Sequence, residues 1–328
     1  MVDACMVNNN NNNNESNSRI AVIGVGGWGK NHARVLAELG VLGAVCDFDA
    51  TRAKEIADKH GAAPYSSVDD MLVRERLDAC LICTPTRTHS SVAKKVIGQG
   101  LHAFVEKPLS FSSQECDEMM ELARKKHVIL TCGYIERFNP AVSETKKMIS
   151  GKKCGDLLML EFHRENRMPP KIKDVGIIFD TAVHDIDTAM FLFDARPNVV
   201  FARAGRHLHE YEDFATLMLG FANQRVAIIS VNWLTPKKVR TFSAVCTDGI
   251  ISGNFISQEI KIDNASETVT PRTPFEEPLT LELKSFIAAV QGREHCAVPA
   301  QDATNVTKVA EAALLSSDTG SPIYLDLK

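Results

Sequence analysis

Asp180 and His184 are the two residues whose types and spacing point most directly to chemistry. They stand four positions apart in FDTAVHDIDTAMFLF, so a helix over this segment places both side chains on one face. A carboxylate beside an imidazole raises the basicity of the ring and fixes its orientation. Because histidine titrates near neutral pH, the pair predicts a general base, His184, supported by Asp180.

Lys107 ends a strand-like run, LHAFVEKP, and directly follows Glu106. The preceding strand-like run ends in TPTRTH, which holds Thr84, Pro85 and His89. Ligands of open parallel sheets bind outside the carboxyl ends of the strands, so both motifs are expected to face one crevice. There the Lys107 ammonium would stabilise negative charge on a reacting oxygen, and the other four residues are candidate cofactor contacts. The competing interpretation of Lys107 is a solvated surface charge.

A glycine-rich segment, GVGGWG, separates the strand-like RIAVI from a helix-like segment. The first glycine allows a tight turn, the second lets a pyrophosphate approach the backbone, and the third lets helix and strand pack closely. The phosphates would then lie at a helix N-terminus, where free N–H groups favour anions. We predict a dinucleotide site with the candidate residues Gly24, Gly26, Gly27, Trp28 and Gly29.

Asp47 follows the next strand-like run and indicates which dinucleotide binds. Its carboxylate is placed to accept hydrogen bonds from the adenosine ribose and would repel a 2′-phosphate, which favours NAD over NADP. Arg52 is a further candidate, because it can stack on adenine or accommodate a phosphate, and so NADP stays the alternative.

Simpler interpretations compete at several positions. Asp180 is also a suitable N-cap for the predicted helix. Three other groups resemble metal or redox motifs: His184 with Asp185 and Asp187, the C-x-x-C of Cys80 and Cys83, and the pair His207 and His209. We predict no metal site, because the carboxylates are scattered around a helix and the cysteines point to opposite faces of a strand. The two histidines are expected at the surface or edge of a strand.

The combination of TP-x-x-x-H, EKP, GY-x-x-RFNPA and D-x-x-x-HD resembles the glucose-fructose oxidoreductase, inositol dehydrogenase and MocA (Gfo/Idh/MocA) family. The resemblance runs from about residue 19 to residue 194 and more loosely to the C-terminus. It implies a Rossmann domain joined to an open-faced sheet domain and oxidation of a sugar or polyol hydroxyl with NAD(P). It also implies that Lys107, Asp180 and His184 support hydride transfer. Arg137 and Asn139, from RFNP, are candidate substrate contacts.

The segment HRENRMPPKIKDVGIIFD, which precedes the predicted catalytic helix, is basic. Arg164, Arg167, Lys171 and Lys173 are suited to a phosphate or carboxylate, and a solvated loop is the alternative. This segment looks most like the family branch acting on UDP-N-acetylglucosamine or its uronate, which implies a 3-keto UDP-sugar product. A free polyol such as myo-inositol, a redox-coupled glycosidase and a non-catalytic NAD- or sugar-sensing regulator stay open as alternatives.

The elements that must position these residues fall into two groups. Up to Tyr134, apolar runs alternate with helix-like segments, which predicts an α/β, doubly wound parallel sheet of Rossmann type. Beyond it, long strand-like stretches such as 199–209 and 250–262 follow one another and indicate an α+β domain with a large, mostly antiparallel, open-faced sheet. Late helices are predicted at about 279–291 and 302–317. The resulting division is a disordered Asn-rich tail (1–18), an NAD-binding domain (19–134) and a substrate-binding and oligomerisation domain (135–328).

The composition excludes several classes of protein. The net charge of −4 leaves no general basic field for nucleic acid or an anionic membrane, and no apolar stretch is long enough to span a bilayer. Nine cysteines, an odd number on a long chain without a secretory signal, favour reduced thiols and a cytoplasmic location. An open-faced sheet must cover its exposed side, so a homodimer or homotetramer is expected.

Overall fold

The computed structural model describes residues 18–168 and 175–327. The Asn-rich tail predicted for residues 1–18 therefore lies outside the described residues except for Ser18, which is buried. Lys171 and Lys173 of the basic segment also lie outside them.

The N-terminal part of the chain forms a parallel sheet of six strands in the order 3-2-1-4-5-6. This is the strand order of a Rossmann fold, whose ligand crevice lies at the carboxyl ends of the strands where the order reverses. The strands are β1 Ile20–Ile23, β2 Leu42–Cys46, β3 Ala63–Tyr65, β4 Ala79–Ile82, β5 His102–Val105 and β6 Leu130–Cys132. β3 spans only three residues and lacks the apolar run that marks the other five in the sequence.

Helices connect these strands and cover both faces of the sheet. Polar residues at their N-termini mark where several begin: the side chains of Asp49, Ser67 and Ser112 accept hydrogen bonds from backbone N–H groups of the first turn. The helices are α1 Gly29–Glu38, α2 Ala50–His60, α3 Val68–Arg74, α4 His89–Gly98 and α5 Ser113–Lys126.

The second sheet has nine strands and is mixed. One pair, β7 with β10, is parallel, and every other neighbouring pair is antiparallel. The strands are β7 Leu157–Arg167, β8 Val199–Gly205, β9 Phe214–Gly220, β10 Val226–Asn232, β11 Leu234–Cys246, β12 Gly249–Asn254, β13 Ile260–Asp263, β14 Thr268–Val269 and β15 Ile323–Tyr324. Alternation along β9 is clear: Ala215, Leu217 and Leu219 are buried, whereas Phe214 and Met218 are exposed.

Four further helices complete the described chain: α6 Pro140–Ser150, α7 Val183–Phe193, α8 Pro278–Val290 and α9 Ala300–Thr319. A π-helical turn, Ile178–Ala182, leads directly into α7. The apolar face of α8, with Leu279, Leu283 and Phe286, belongs to the same buried cluster as β1. A helix from the C-terminal half of the sequence thus packs against the Rossmann sheet. The division at residue 134 stays a prediction.

The predicted fold class, an α/β Rossmann sheet plus a mostly antiparallel second sheet, is confirmed. Two local predictions are wrong. The stretch 250–262 is two strands, β12 and β13, joined by a turn, because Gln258 takes a positive φ there. The strand predicted over 199–209 ends at Gly205, and His207 and His209 follow it in a loop whose backbone N–H groups donate to the buried Asp213 carboxylate. His207 is exposed, as predicted. Within the described residues, no helix combines the length and apolarity needed to cross a bilayer.

Candidate active site

A cavity of about 800 Å³ opens at the carboxyl ends of the Rossmann strands, and we call it the central cavity. Its wall combines the loops after β1, β4 and β5 with the π-helical turn, α7 and β11. The predicted site residues that line it are Trp28, Thr84, Pro85, His89, Glu106, Lys107, Asn139, Asp180 and His184. Those that do not are Gly24, Gly26, Gly27, Gly29, Asp47, Arg52, Arg137, Arg164 and Arg167.

The glycine loop between β1 and α1 is shaped to receive a dinucleotide. Gly24 has φ +86°, and a Cβ on Gly29 would lie 1.8 Å from the Gly24 carbonyl oxygen, so the tight turn requires both glycines. At Gly26 and Gly27, by contrast, an added Cβ would meet nothing within 4 Å. This open space lies at the N-terminus of α1, whose first turn carries no acidic residue. The loop therefore fits a pyrophosphate.

Asp47 lies directly after β2 and is buried, with 4% of its surface exposed. Its carboxylate accepts hydrogen bonds from the backbone N–H groups of Val25, at 2.9 Å, and Asp49, at 3.0 Å. Arg52 Nη1 donates to the same carboxylate at 3.1 Å. Asp47 thus connects the glycine loop to α2, and it holds the Arg52 guanidinium that was the candidate for a 2′-phosphate.

Asp47→Ala should raise the dissociation constant of NAD about 10-fold or more, because hydrogen bonds to a charged acceptor are lost. It should also relax discrimination against NADP, since a 2′-phosphate would then meet Arg52 without the carboxylate. Fluorescence titration with NAD and NADP measures both effects. Asp58→Ala, which removes an exposed acid from α2, is the matched control. Unchanged NAD affinity in the Asp47 variant would contradict the assignment.

Lys107 and Asp180 are joined across the cavity. Lys107 Nζ lies 2.5 Å from the backbone oxygen of Asp180 and 3.2 Å from its Oδ1. Thr181 Oγ1 donates to the other carboxylate oxygen, at 3.0 Å. An ammonium has three N–H donors, so one remains for an oxygen in the cavity. Both side chains are partly exposed there, 19% for Lys107 and 25% for Asp180.

His184 lines the cavity from the first turn of α7, and its Nδ1 is buried without a hydrogen-bond partner. Burial lowers the pKa of the His184 imidazole well below its usual range. The positive charges of Lys107, Arg164 and Arg240 lower it further. The ring is therefore neutral at physiological pH and can accept a proton.

The predicted partnership of Asp180 with His184 is wrong in this structure. The helix begins before Asp180, at Ile178, and Asp180 lies inside the π-helical turn rather than at an N-cap. Its carboxylate accepts hydrogen bonds from Lys107 and Thr181. Consequently the charges that act on His184 are cations, and its basicity is lowered rather than raised.

Comparison with known proteins places this geometry in a family. Residues 18–134 match the model described as oxidoreductase family, NAD-binding Rossmann fold, and residues 142–252 match the GFO/IDH/MocA C-terminal domain. The scyllo-inositol 2-dehydrogenase (NAD(+)) of Bacillus subtilis is 32% identical over 94% of this chain and 97% of its own length. The chain belongs to the Gfo/Idh/MocA family of oxidoreductases.

Two further comparisons concern a nucleotide-sugar enzyme of the same family. The UDP-N-acetylglucosamine 3-dehydrogenase of Acidithiobacillus ferrooxidans is 29% identical over 83% of this chain and 85% of its own length. Its solved structure superposes with a TM-score of 0.86 at 26% identity, covering 92% of this chain and 98% of that one. The predictions of a Gfo/Idh/MocA oxidoreductase and of an NAD-binding Rossmann domain are confirmed.

In this Gfo/Idh/MocA chain, His89 and Glu106 border the central cavity but have protein partners. The two ring nitrogens of His89 lie 2.9 Å from the carbonyl oxygens of Thr84 and Pro108, so the ring joins the loops after β4 and β5. Burial lowers the pKa of His89. Glu106 Oε1 lies 2.6 Å from Nε2 of His32. Both residues hold the strand ends from which Lys107 extends, and a cofactor contact for either stays a prediction.

Two arginines predicted to contact the substrate are bound instead to buried carboxylates. Arg164 donates from Nε and Nη2 to Asp185 and from Nη1 to Glu136, at 2.7–3.1 Å. Arg137 binds Asp187 in the same two-pronged way, and its Nη1 reaches Asp302 at 3.1 Å. Neither guanidinium lines the central cavity. The prediction that they bind substrate is therefore wrong, because both side chains are buried, paired with carboxylates of the same chain, and absent from the cavity wall.

The other two predicted substrate residues have different positions. Asn139 borders the cavity, but its Oδ1 caps α6 and its Nδ2 donates to Glu136 and to the Phe255 carbonyl oxygen. Arg167 is exposed at the end of β7, away from the cavity lining. Neither position gives a direct substrate donor in this structure.

Arg164→Met should lower the free energy of unfolding by about 3 kcal/mol, because it leaves the fully buried Asp185 carboxylate without its cation. Urea denaturation of the purified variant measures this loss. Arg167→Met removes an exposed arginine from the same strand and should change stability by less than about 0.5 kcal/mol. Equal stability of the two variants would show that the Arg164–Asp185 pair does not hold α7 to β7.

Three charged residues that the sequence did not single out line the cavity: Arg87, Glu136 and Arg240. Arg87 lies within the TPTRTH motif. Glu136 lies in a 3₁₀ turn, Ile135–Phe138, within the GY-x-x-RFNPA motif, so its motif was a usable signal. Arg240 lies on β11 and has no motif of its own. Only the packing of β11 beside β7 brings it to the cavity.

The described residues contain no group of three or more metal-ligating side chains. Cys80 is buried in β4 and Cys83 follows that strand; both are free thiols. Burial raises the pKa of Cys80 to about 12 and that of Cys83 well above its ordinary value, so neither forms a thiolate readily.

Proposed function

We propose that this protein oxidises a ring hydroxyl, at C3, of a UDP-N-acetylhexosamine with NAD. The observation that carries the proposal is the convergence of Lys107, Asp180 and the neutral His184 on one cavity, which Trp28 of the glycine loop also lines. The similarity to a UDP-N-acetylglucosamine 3-dehydrogenase over most of both chains supports the substrate class.

In this proposal His184 accepts the proton of the substrate hydroxyl as general base. The remaining Lys107 N–H donates to the same oxygen and stabilises the negative charge that develops on it. Asp180 orients Lys107 by accepting from its Nζ. NAD, when bound at the glycine loop and Asp47, supplies the hydride acceptor.

A free polyol dehydrogenase is the second candidate. It is supported by the identity to a scyllo-inositol dehydrogenase over nearly the whole chain and by the occupation of Arg137 and Arg164 by carboxylates. A non-catalytic regulator is disfavoured, because Lys107 and His184 line the same cavity. The redox-coupled glycosidase stays an alternative.

The test is absorbance of NADH while the purified protein is mixed with NAD and one of four substrates: UDP-N-acetylglucosamine, its uronate, myo-inositol or glucose. Reduction of NAD with a UDP-sugar supports the proposal and shows whether C6 matters. Reduction with a free polyol alone overturns it in favour of the second candidate. If none of the four yields NADH although NAD binds, the result would favour the regulator or a sugar outside these four.

We also propose a homodimer or homotetramer in the cytoplasm. The outer face of the nine-stranded sheet exposes Phe214, Met218 and Ile250, each by more than a third of its surface, and a second copy would cover this apolar face. The eight cysteines among the described residues are all free, as expected for a reducing compartment. Light scattering of the purified protein measures the oligomeric state.

A further inference from the structure

Arg240 extends from β11 to the wall of the central cavity, although it lies outside every motif of the sequence. Its side chain is 36% exposed. The nearest carboxylate, Oε1 of Glu136, lies 3.9 Å from its Nη1, which is too far for a hydrogen bond. Arg240 is thus held near an acid without being bound to it.

Glu136 is not free to approach Arg240 more closely. Its Oε1 accepts from Nη1 of Arg164 at 2.9 Å, and its Oε2 accepts from Nδ2 of Asn139 at 3.1 Å. Among the described residues, the contact with Glu136 is the one ion pair of the Arg240 guanidinium, and no hydrogen bond accompanies it. A guanidinium presents five N–H donors in a planar fork, so the partly exposed Arg240 has donors available for a ligand in the cavity.

Arg240 also lies close to the proposed reaction centre. Its side chain lines the same cavity as Asp180 and His184. A sugar bound in this cavity beside His184 can therefore present an oxygen to Arg240.

We propose that Arg240 selects the substrate by binding an sp² oxygen carried by the sugar, either the carbonyl of an N-acyl group or a carboxylate. The inference rests on the proposed function, because it takes a nucleotide sugar as the ligand. Both groups match the planar fork of arginine, whereas a hydroxyl offers a single acceptor of different geometry. UDP-glucose carries neither group, which makes it the discriminating comparison.

The experiment uses the full chain with NAD and three probes: UDP-N-acetylglucosamine, its uronate and UDP-glucose. Arg240→Met should lower kcat/KM for the probe with the matching group about 10- to 100-fold, mainly through KM. The kinetics with UDP-glucose, or its inhibition constant if it is not turned over, should change less than about threefold. Arg240→Lys, which keeps the charge without the fork, should fall between wild type and Arg240→Met.

Lys238→Met is the matched control, because Lys238 is an exposed cation on the same strand that does not line the cavity. A loss with the uronate alone identifies the carboxylate, and a loss with both N-acetylated probes identifies the acyl carbonyl. A loss of equal size with UDP-glucose, or no loss in Arg240→Met and Arg240→Lys, overturns the inference. Failure of the wild-type protein to oxidise any UDP-sugar, with NAD binding intact, is instead a failure of the proposed function.

Discussion

His184→Ala should lower kcat about 10²-fold or more while leaving the affinity for NAD nearly unchanged. The variant loses the only neutral imidazole that we place at the substrate hydroxyl, and general base catalysis typically contributes 10²–10⁴-fold. Steady-state kinetics with the sugar that reduces NAD in the substrate test, together with an NAD titration, measures the two quantities separately. Near-normal turnover would remove His184 from the role of base.

His163→Ala is the control for this variant, since His163 is an exposed histidine of β7 that does not line the cavity. The pH profile gives a second readout. Because burial and nearby cations lower the pKa of His184, the ring stays deprotonated below the ordinary histidine range. In the wild type, kcat/KM should therefore stay constant through the ordinary histidine range and fall only at lower pH. His184→Ala should lose this acid limb.

Lys107→Met should lower kcat about 10²- to 10³-fold, the usual cost of removing one donor that stabilises a developing oxyanion. The loss has two sources in this structure: the donor to the substrate oxygen disappears, and Asp180 loses its cation. Because that donor acts most strongly in the transition state, kcat should fall more than the affinity for substrate.

Lys54→Met is the comparison for Lys107→Met, since Lys54 is an exposed lysine of α2 that is paired with Asp58. Its kinetics should be those of the wild type. If Lys107→Met raised KM at constant kcat, Lys107 would be a substrate-binding residue rather than a stabiliser of charge in the reaction. Melting temperatures of both variants exclude a general loss of structure.

Much of the Rossmann half was predictable from local signals. The strand-like runs, the glycine loop and the acid after β2 follow one another in a fixed order, and each is recognisable within a few residues. The carboxyl ends of β4 and β5 meet at one edge because the sheet is parallel, so the sequence also predicted that Lys107 faces a shared crevice. In the structure Lys107 lines the central cavity together with Thr84 and Pro85.

The partners of the charged residues were not predictable in this way. A run of arginines before a helix predicts a site for anions equally well whether the anion is a phosphate or a carboxylate of the same chain. Asp185 and Asp187 lie two positions apart in a buried helix and therefore point in nearly opposite directions. Asp185 pairs with Arg164, and Asp187 pairs with Arg137. A buried carboxylate without such a cation would strongly destabilise the folded state. Arg164 and Arg137 therefore serve stability rather than ligand binding.

By itself, the sequence determined the Rossmann type of the first sheet and the dinucleotide loop, because both depend on patterns within short segments of the chain. The family resemblance implied that Lys107 and His184 share a site, and both line the central cavity. Only the tertiary structure decided that Asp180 pairs with Lys107, that Arg164 and Arg137 are structural, and that Arg240 reaches the cavity. The reason is that ion pairing and burial depend on distances between segments far apart in sequence, and no local pattern encodes them.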